Sequence, residues 1–143
     1  MSEISINSIY DGVSLALHAA FPDRQVHGRN VTQGLKPGDL NVVLPGGGHS
    51  KQVGPRWRRT PLVDVIYYPV DPKKAPEECN RMAQDLSLVL GDITTPEGDT
   101  IHATGIDWQV ADGVLHVTAT YDHFVRIVPE PDMMETLRIE QEG

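Results

Sequence analysis

Thr100-Ile101-His102-Ala103-Thr104-Gly105-Ile106-Asp107-Trp108-Gln109-Val110-Ala111-Asp112-Gly113-Val114-Leu115-His116-Val117-Thr118-Ala119-Thr120-Tyr121 is the stretch on which the fold turns. Asp112-Gly113 is a pair that accepts positive φ at both centres of a two-residue hairpin turn. Strands are therefore expected on either side, Thr100–Val110 and Val114–Val128. With the turn fixed, Val110 faces Leu115, Trp108 faces Val117, Ile106 faces Ala119, Thr104 faces Tyr121, and His102 faces His123. The apolar members of the two strands then share one face. A slip of one residue would send Ile106 and Trp108 to the polar side, so the register is specified.

Working upstream, Pro76 suits the first turn of a helix that runs to about Leu90 and ends at Gly91. Cys79, Met82, Ala83, Leu86 and Leu90 form its apolar stripe. Glu77 and Glu78 lie in the first turn, where the helix dipole favours negative charge. Before this helix, Asp39–Leu44 reads as a strand, Pro45-Gly46-Gly47-Gly48 as a flexible turn and Trp57–Tyr68 as a returning strand. Val63, Val65 and Tyr67 give that strand one apolar face. Pro61 is expected at an edge or a bulge, because it has no N–H for a ladder.

Nearest the start, Ile6, Tyr10, Val13, Leu17 and Ala20 recur at helical spacing, with Ser2 or Ser5 as cap and Pro22 as the stop. A short strand follows at Gln25–His27, and residues 28–38, with Asn30, Gly34, Pro37 and Gly38, read as a loop. After Pro129 and Pro131, a short helix is expected over Met133–Glu140. The order helix, hairpin, helix, hairpin predicts one α+β domain over residues 1–143. Its sheet is expected to be mainly antiparallel, of four to five strands, with two or three helices on one face.

Composition narrows the function. The chain has 143 residues, 39% hydrophobic and 22% charged, which is enough apolar content for one core. Cys79 is the only cysteine, so no internal disulfide forms and a reducing compartment such as the cytoplasm is expected. Neither the basic start of a secretory signal nor an apolar run near the ~20 residues of a membrane span is present, so export and membrane insertion are not expected. A net charge of -8 argues against stable nucleic-acid binding.

Four chemical readings were weighed. Gly46-Gly47-Gly48-His49-Ser50-Lys51 has the glycines of a phosphate loop, but Gln52 follows the lysine and a strand follows in place of a helix. Asp64 with Asp71-Pro72-Lys73 superficially matches a metal-dependent nuclease, yet Pro69 and Pro72 break the strand that would fix the second carboxylate. His102 opposite His123 offers two metal ligands and no evident third; space-filling beside Tyr121 is the simpler role. Cys79 lies on a buried stripe, and Ser50 and Ser87 lack a base at a telling spacing. No catalytic residue and no cofactor follow from these residues.

The remaining feature is Arg56-Trp57-Arg58-Arg59, with Lys51 nearby. Trp and Arg are the residues that most often dominate interface energetics. An acidic tail, with Glu135 and Glu140 among its carboxylates, would complement this run if supplied by a neighbouring copy. Head-to-tail contacts of that kind close into rings when the rotation allows.

These residues also carry a family likeness. Ala20-Phe21-Pro22, Val31-Thr32-Gln33-Gly34-Leu35, Arg59-Thr60, Asp64-Val65, Tyr67-Tyr68-Pro69, Glu78-Cys79, Met82-Ala83, Asp112-Gly113-Val114-Leu115-His116, Tyr121-Asp122, Phe124-Val125 and Met134-Glu135-Thr136-Leu137 occur in an order that resembles the phage tail terminator, or tail completion, family of phages, prophages and phage-tail-like bacteriocins. His123 departs from the pattern, where an aromatic or apolar residue is expected. The resemblance implies a structural protein that assembles in the host bacterial cytoplasm and ends in the virion or tail-like particle. It further implies a homo-hexameric ring on the last ring of tail tube protein, which stops polymerisation and presents a surface to the head-tail connector or neck protein. DNA would pass through such a ring without sticking. A neck or connector role in the same particle is the main alternative, and the metal-dependent nuclease the second.

Overall fold

The computed structural model describes residues 4–28 and 36–128. The expected helix at Met133–Glu140, with Glu135 and Glu140, lies outside them. Ile6–Ala20 forms α1, and the Ser5 side chain caps it by accepting the Ser8 N–H at 3.0 Å. Ile9, Val13 and Leu17 are fully buried, while Ala20 is exposed. Phe21 N–H closes the last turn on the Leu17 carbonyl at 2.8 Å, one residue before Pro22.

Three strands follow the helix in sequence: β1 (Val26–Gly28), β2 (Leu40–Lys51) and β3 (Arg56–Tyr67). A 3-10 turn at Pro72–Lys74 leads into α2 (Ala75–Leu90), and then β4 (Asp92–Thr94), β5 (Thr100–His102), β6 (Gly105–Ala111), β7 (Val114–Thr120) and β8 (His123–Arg126). The main sheet has six strands in the order β1-β2-β3-β7-β6, with β8 also paired to β3. Among the described residues only β1 and β2 run parallel, and β4-β5 form a separate two-stranded sheet. The class is α+β and mainly antiparallel, with one strand more than expected in the main sheet. Among the described residues there are two helices, and they pack against each other and against one face of that sheet.

The alternation of β3 explains the core. Val63, Val65 and Tyr67 point to the helices, opposite Ala119, Val117 and Leu115 on β7 and beside Leu40 and Val42 on β2. From α2 come Cys79, Met82, Ala83, Leu86 and Leu90, the stripe read from the sequence. Gly91 ends α2, but at φ -58 it is not the left-handed cap that glycine usually supplies.

Two polar links, one half-buried and one buried, tie loops to this core. Burial opposes ionisation of Glu78, yet donors from Tyr67 Oη at 2.5 Å, Val70 N–H at 2.6 Å and Asp71 N–H at 3.1 Å outweigh it, and the carboxyl is held below its usual range. Burial and that carboxylate together push the Tyr67 hydroxyl up to about 12. Tyr121, fully buried, donates to the carbonyl of Leu90 at 2.7 Å and so satisfies a helix-end acceptor.

Two expectations are corrected by the pairing. Gly46-Gly47-Gly48 is not a turn: β2 runs straight through it, and the turn falls at residues 52–55. A one-residue bulge between Val43 and Gly46 admits Pro45, after which Gly47 pairs with Pro61 and Gly48 with Thr60. Glycine is required at Gly47, where a Cβ would stand 2.9 Å from the Thr60 carbonyl, and favoured at Gly48, where a Cβ would stand 2.5 Å from Thr60 Oγ1 and force that side chain to turn away.

The Asp112-Gly113 hairpin has the expected register from Ala111–Val114 to Gly105–Thr120, with φ 53 and 75 at the turn. Beyond Gly105 it divides. Thr100–His102 leaves to pair with β4, so Thr104 does not face Tyr121, and His102 pairs with Asp92 instead of His123. Pro61 explains the matching break between β7 and β8. It lies on an interior strand, not an edge; Tyr121 N–H donates to its carbonyl at 3.1 Å, but Pro61 has no N–H to return. The Tyr121 carbonyl is taken by His123 Nδ1 at 3.0 Å, which must be the protonated nitrogen because a carbonyl only accepts. His123 thus repairs a ladder that a proline interrupts. The register resumes unshifted, with Arg59 opposite His123.

Candidate interaction surface

Beyond Pro61 the sheet continues as a three-stranded arm made of the outer halves of β2 and β3 together with β8. No helix covers it among the described residues, and Pro45–Lys51 is exposed throughout. Four of the sequence candidates, Arg56, Trp57, Arg58 and Arg59, stand in succession on the arm's middle strand, with Lys51 directly opposite Trp57. The structure therefore gathers all five described candidates in one place.

Their roles divide by face. On one face Trp57 stacks on His49 with ring centroids 4.6 Å apart and planes 3° from parallel, and Val125 is buried opposite it. Arg59 and Lys51 share that face. On the other, the Arg56 guanidinium lies 3.7 Å from the Phe124 ring centroid and Arg58 pairs with Asp122. Arg56 and Arg58 are thus committed within their own arm. Arg59 and Lys51 have no acidic partner among the described residues.

Where the arm meets the start of α1, a concavity of about 370 Å³ opens. Ile6, Leu44 and Pro61 give it apolar walls, and Gly46-Gly47-Gly48 line it without side chains. His49 and Arg59 bring its polar atoms. Among the described residues β1 pairs with β2 only as far as Val42, and within them the glycine stretch has no strand on this side.

The residues weighed for chemistry are dispersed. His102 sits in the small sheet beside Asp92, and His123 in the main sheet. Asp64 faces away from the helices and pairs with His116 Nδ1 at 3.0 Å, whereas Asp71 accepts the Lys73 N–H as the cap of the 3-10 turn. Among the described residues no three His, Cys, Asp or Glu side chains gather as metal ligands, and no helix is long and apolar enough to cross a membrane.

A family model described as phage tail terminator protein matches residues 8–133. The chain belongs to the phage tail terminator family. As a member it is a structural protein of phage tail assembly, and the virion or tail particle is its place of work. No curated protein matches this tail terminator chain. One solved structure is similar at 18% identity over 87% of the terminator chain and 94% of its own, with a TM-score of 0.44.

Sequence reasoning found the arm's cations but missed their partners. Asp122 and Phe124 were visible only as strand residues, because the register that sets them against Arg58 and Arg56 depends on the β7–β8 join. The signal that could have located the join is Pro61, a residue unable to complete the ladder on an interior strand. Trp108 and Val110 face the helix side as the register requires, but β6 is the outermost strand and they remain 58% and 47% exposed.

Proposed function

We propose that this tail terminator forms a homomeric ring, of six copies, on the last ring of tail tube protein at the head-proximal end. The ring stops further tube polymerisation and presents the docking surface for the head-tail connector or neck protein. The carrying observation is the arm: the seven exposed residues Pro45–Lys51 of β2 and the outer half of β3 extend the sheet past the helices, where their side chains add nothing to the chain's own core. Such a surface suits a protein whose work is contact, and Trp57 with Lys51 and Arg59 gives it the residue types that anchor interfaces. The overall charge of -8 suits a passage through which DNA slides without adhering. Assembly would take place in the cytoplasm of the bacterial host.

Removing the gene from a producing lysogen and measuring tails by electron microscopy tests this reading. Tails of uncontrolled length, restored to one length by the gene supplied in trans, are expected. Tails of normal length that fail to join heads would instead assign the protein to the neck.

A further inference from the structure

We propose that the concavity beside Gly46-Gly47-Gly48 is the receptor for the C-terminal segment, residues 129–143, of the next copy in the ring. The inference rests on the ring reading and names the contact that would build it.

Chemistry selects the occupant. The concavity is walled by apolar side chains and, among the described residues, its glycine stretch has no strand on its β1 side and Arg59 is a guanidinium without an acidic partner. The matching ligand is a segment that alternates carboxylates with flexible apolar side chains. Met133, Met134 and Leu137 interspersed with Glu130, Asp132, Glu135 and Glu140 form such a segment, and its charge is opposite to that of the arm. A cavity of this size is within the usual range for burying a ligand's side chains.

Direction selects the copy. β8 runs antiparallel to β3, so it leads away from the concavity towards the tip of the arm, where Ile127 N–H donates to the Pro55 carbonyl at 2.8 Å. The chain passes Val128 heading outwards, and Pro129 and Pro131 disfavour the helical backbone that an immediate reversal would use. Its own concavity lies behind it, at the base of the arm, and a neighbour's lies ahead. Each copy would give one segment and receive one, the head-to-tail relation that closes a ring.

Gly46 provides the probe, since a Cβ there meets nothing within 4 Å. Two full-length versions, Gly46→Cys and Leu137→Cys, are mixed with different affinity tags and oxidised mildly; the native Cys79 is fully buried and stays silent. A disulfide-linked pair carrying both tags is expected, and a chain with both substitutions should give ladders of linked copies. A bridged monomer from the double variant would overturn the proposal by assigning the segment to its own concavity. Absence of any cross-link while light scattering still shows multimers would overturn it too and leave the ring reading standing, whereas absence of both cross-link and multimers would remove the two together. In parallel, Arg59→Glu should raise the concentration for half-assembly about tenfold, and Glu135→Arg or Glu140→Arg in the same chain should recover it. Failure of both reversals to recover assembly would contradict the role given to Arg59.

Discussion

β3 is two strands in one: from Leu62 to Tyr67 it is the centre of the core, and from Arg56 to Thr60 it is the spine of a bare arm. The backbone, the alternation and the register are continuous across Pro61. What differs is the cover. The inner half meets α1 and α2, and its inward residues Val63, Val65 and Tyr67 are buried to within 1%. The outer half extends past the helices, with only Ile6 at the start of α1 near its base among the described residues, and its residues on that same face are Trp57 and Arg59. A strand need not change its geometry to change its surroundings; the sequence changes what it offers at each position, and among the described residues no helix covers the outer half.

Substitutions should separate the halves. The largest loss is expected in the core that the inner half helps to form: Leu86→Ala, at a fully buried position, should lower unfolding free energy by about 2–5 kcal/mol in urea titrations. Next comes the link that joins β3's end to α2. Glu78 has a folded pKa below its unfolded one, so its contribution is complete above the unfolded value and disappears as pH falls through the folded value. Glu78→Gln should therefore be less stable than the parent near neutrality, with the gap closing on acidification; a gap that persists in acid would show that ionisation plays no part. At the boundary, His123→Phe leaves the Tyr121 carbonyl without its donor, and a loss of about 1 kcal/mol is expected. Smallest is the arm: Lys51→Ala truncates an exposed side chain with no acidic partner among the described residues, and its cost should stay below about 0.5 kcal/mol. Should the arm variant prove as destabilising as the core one, the division between the halves would fail.

Much of this was legible in the residues, and the reason is periodicity. The stripes Ile9-Val13-Leu17 and Cys79-Met82-Ala83-Leu86-Leu90, together with the Asp112-Gly113 turn, are local signals that no distant contact overrides. Three features were not legible, because each depends on partners far along the chain. Gly46-Gly47-Gly48 has turn composition but extended backbone, since it pairs with Leu62, Pro61 and Thr60, whose backbone leaves no room for a Cβ at Gly47. Thr100–Val110 divides because β4 claims its first residues. In the candidate surface, the run Arg56–Arg59 was evident, but it could not be seen that Arg56 and Arg58 are taken by Phe124 and Asp122 while Arg59 is left facing the concavity. That distinction changes the choice of variants. Arg58→Glu would set a carboxylate against Asp122 and disturb the arm itself, whereas Lys51 and Arg59 can be reversed without breaking a described pair.

Mass measurement by light scattering on the full chain, parent against Lys51→Glu with Arg59→Glu, addresses the division of labour most directly. The parent should run as a closed multimer with the mass of six copies, and the variant as a monomer that still unfolds cooperatively in urea, at a midpoint lowered only by the loss of assembly. A variant that assembles as the parent does, or a parent that stays monomeric at high concentration, would contradict the assignment of the arm to assembly.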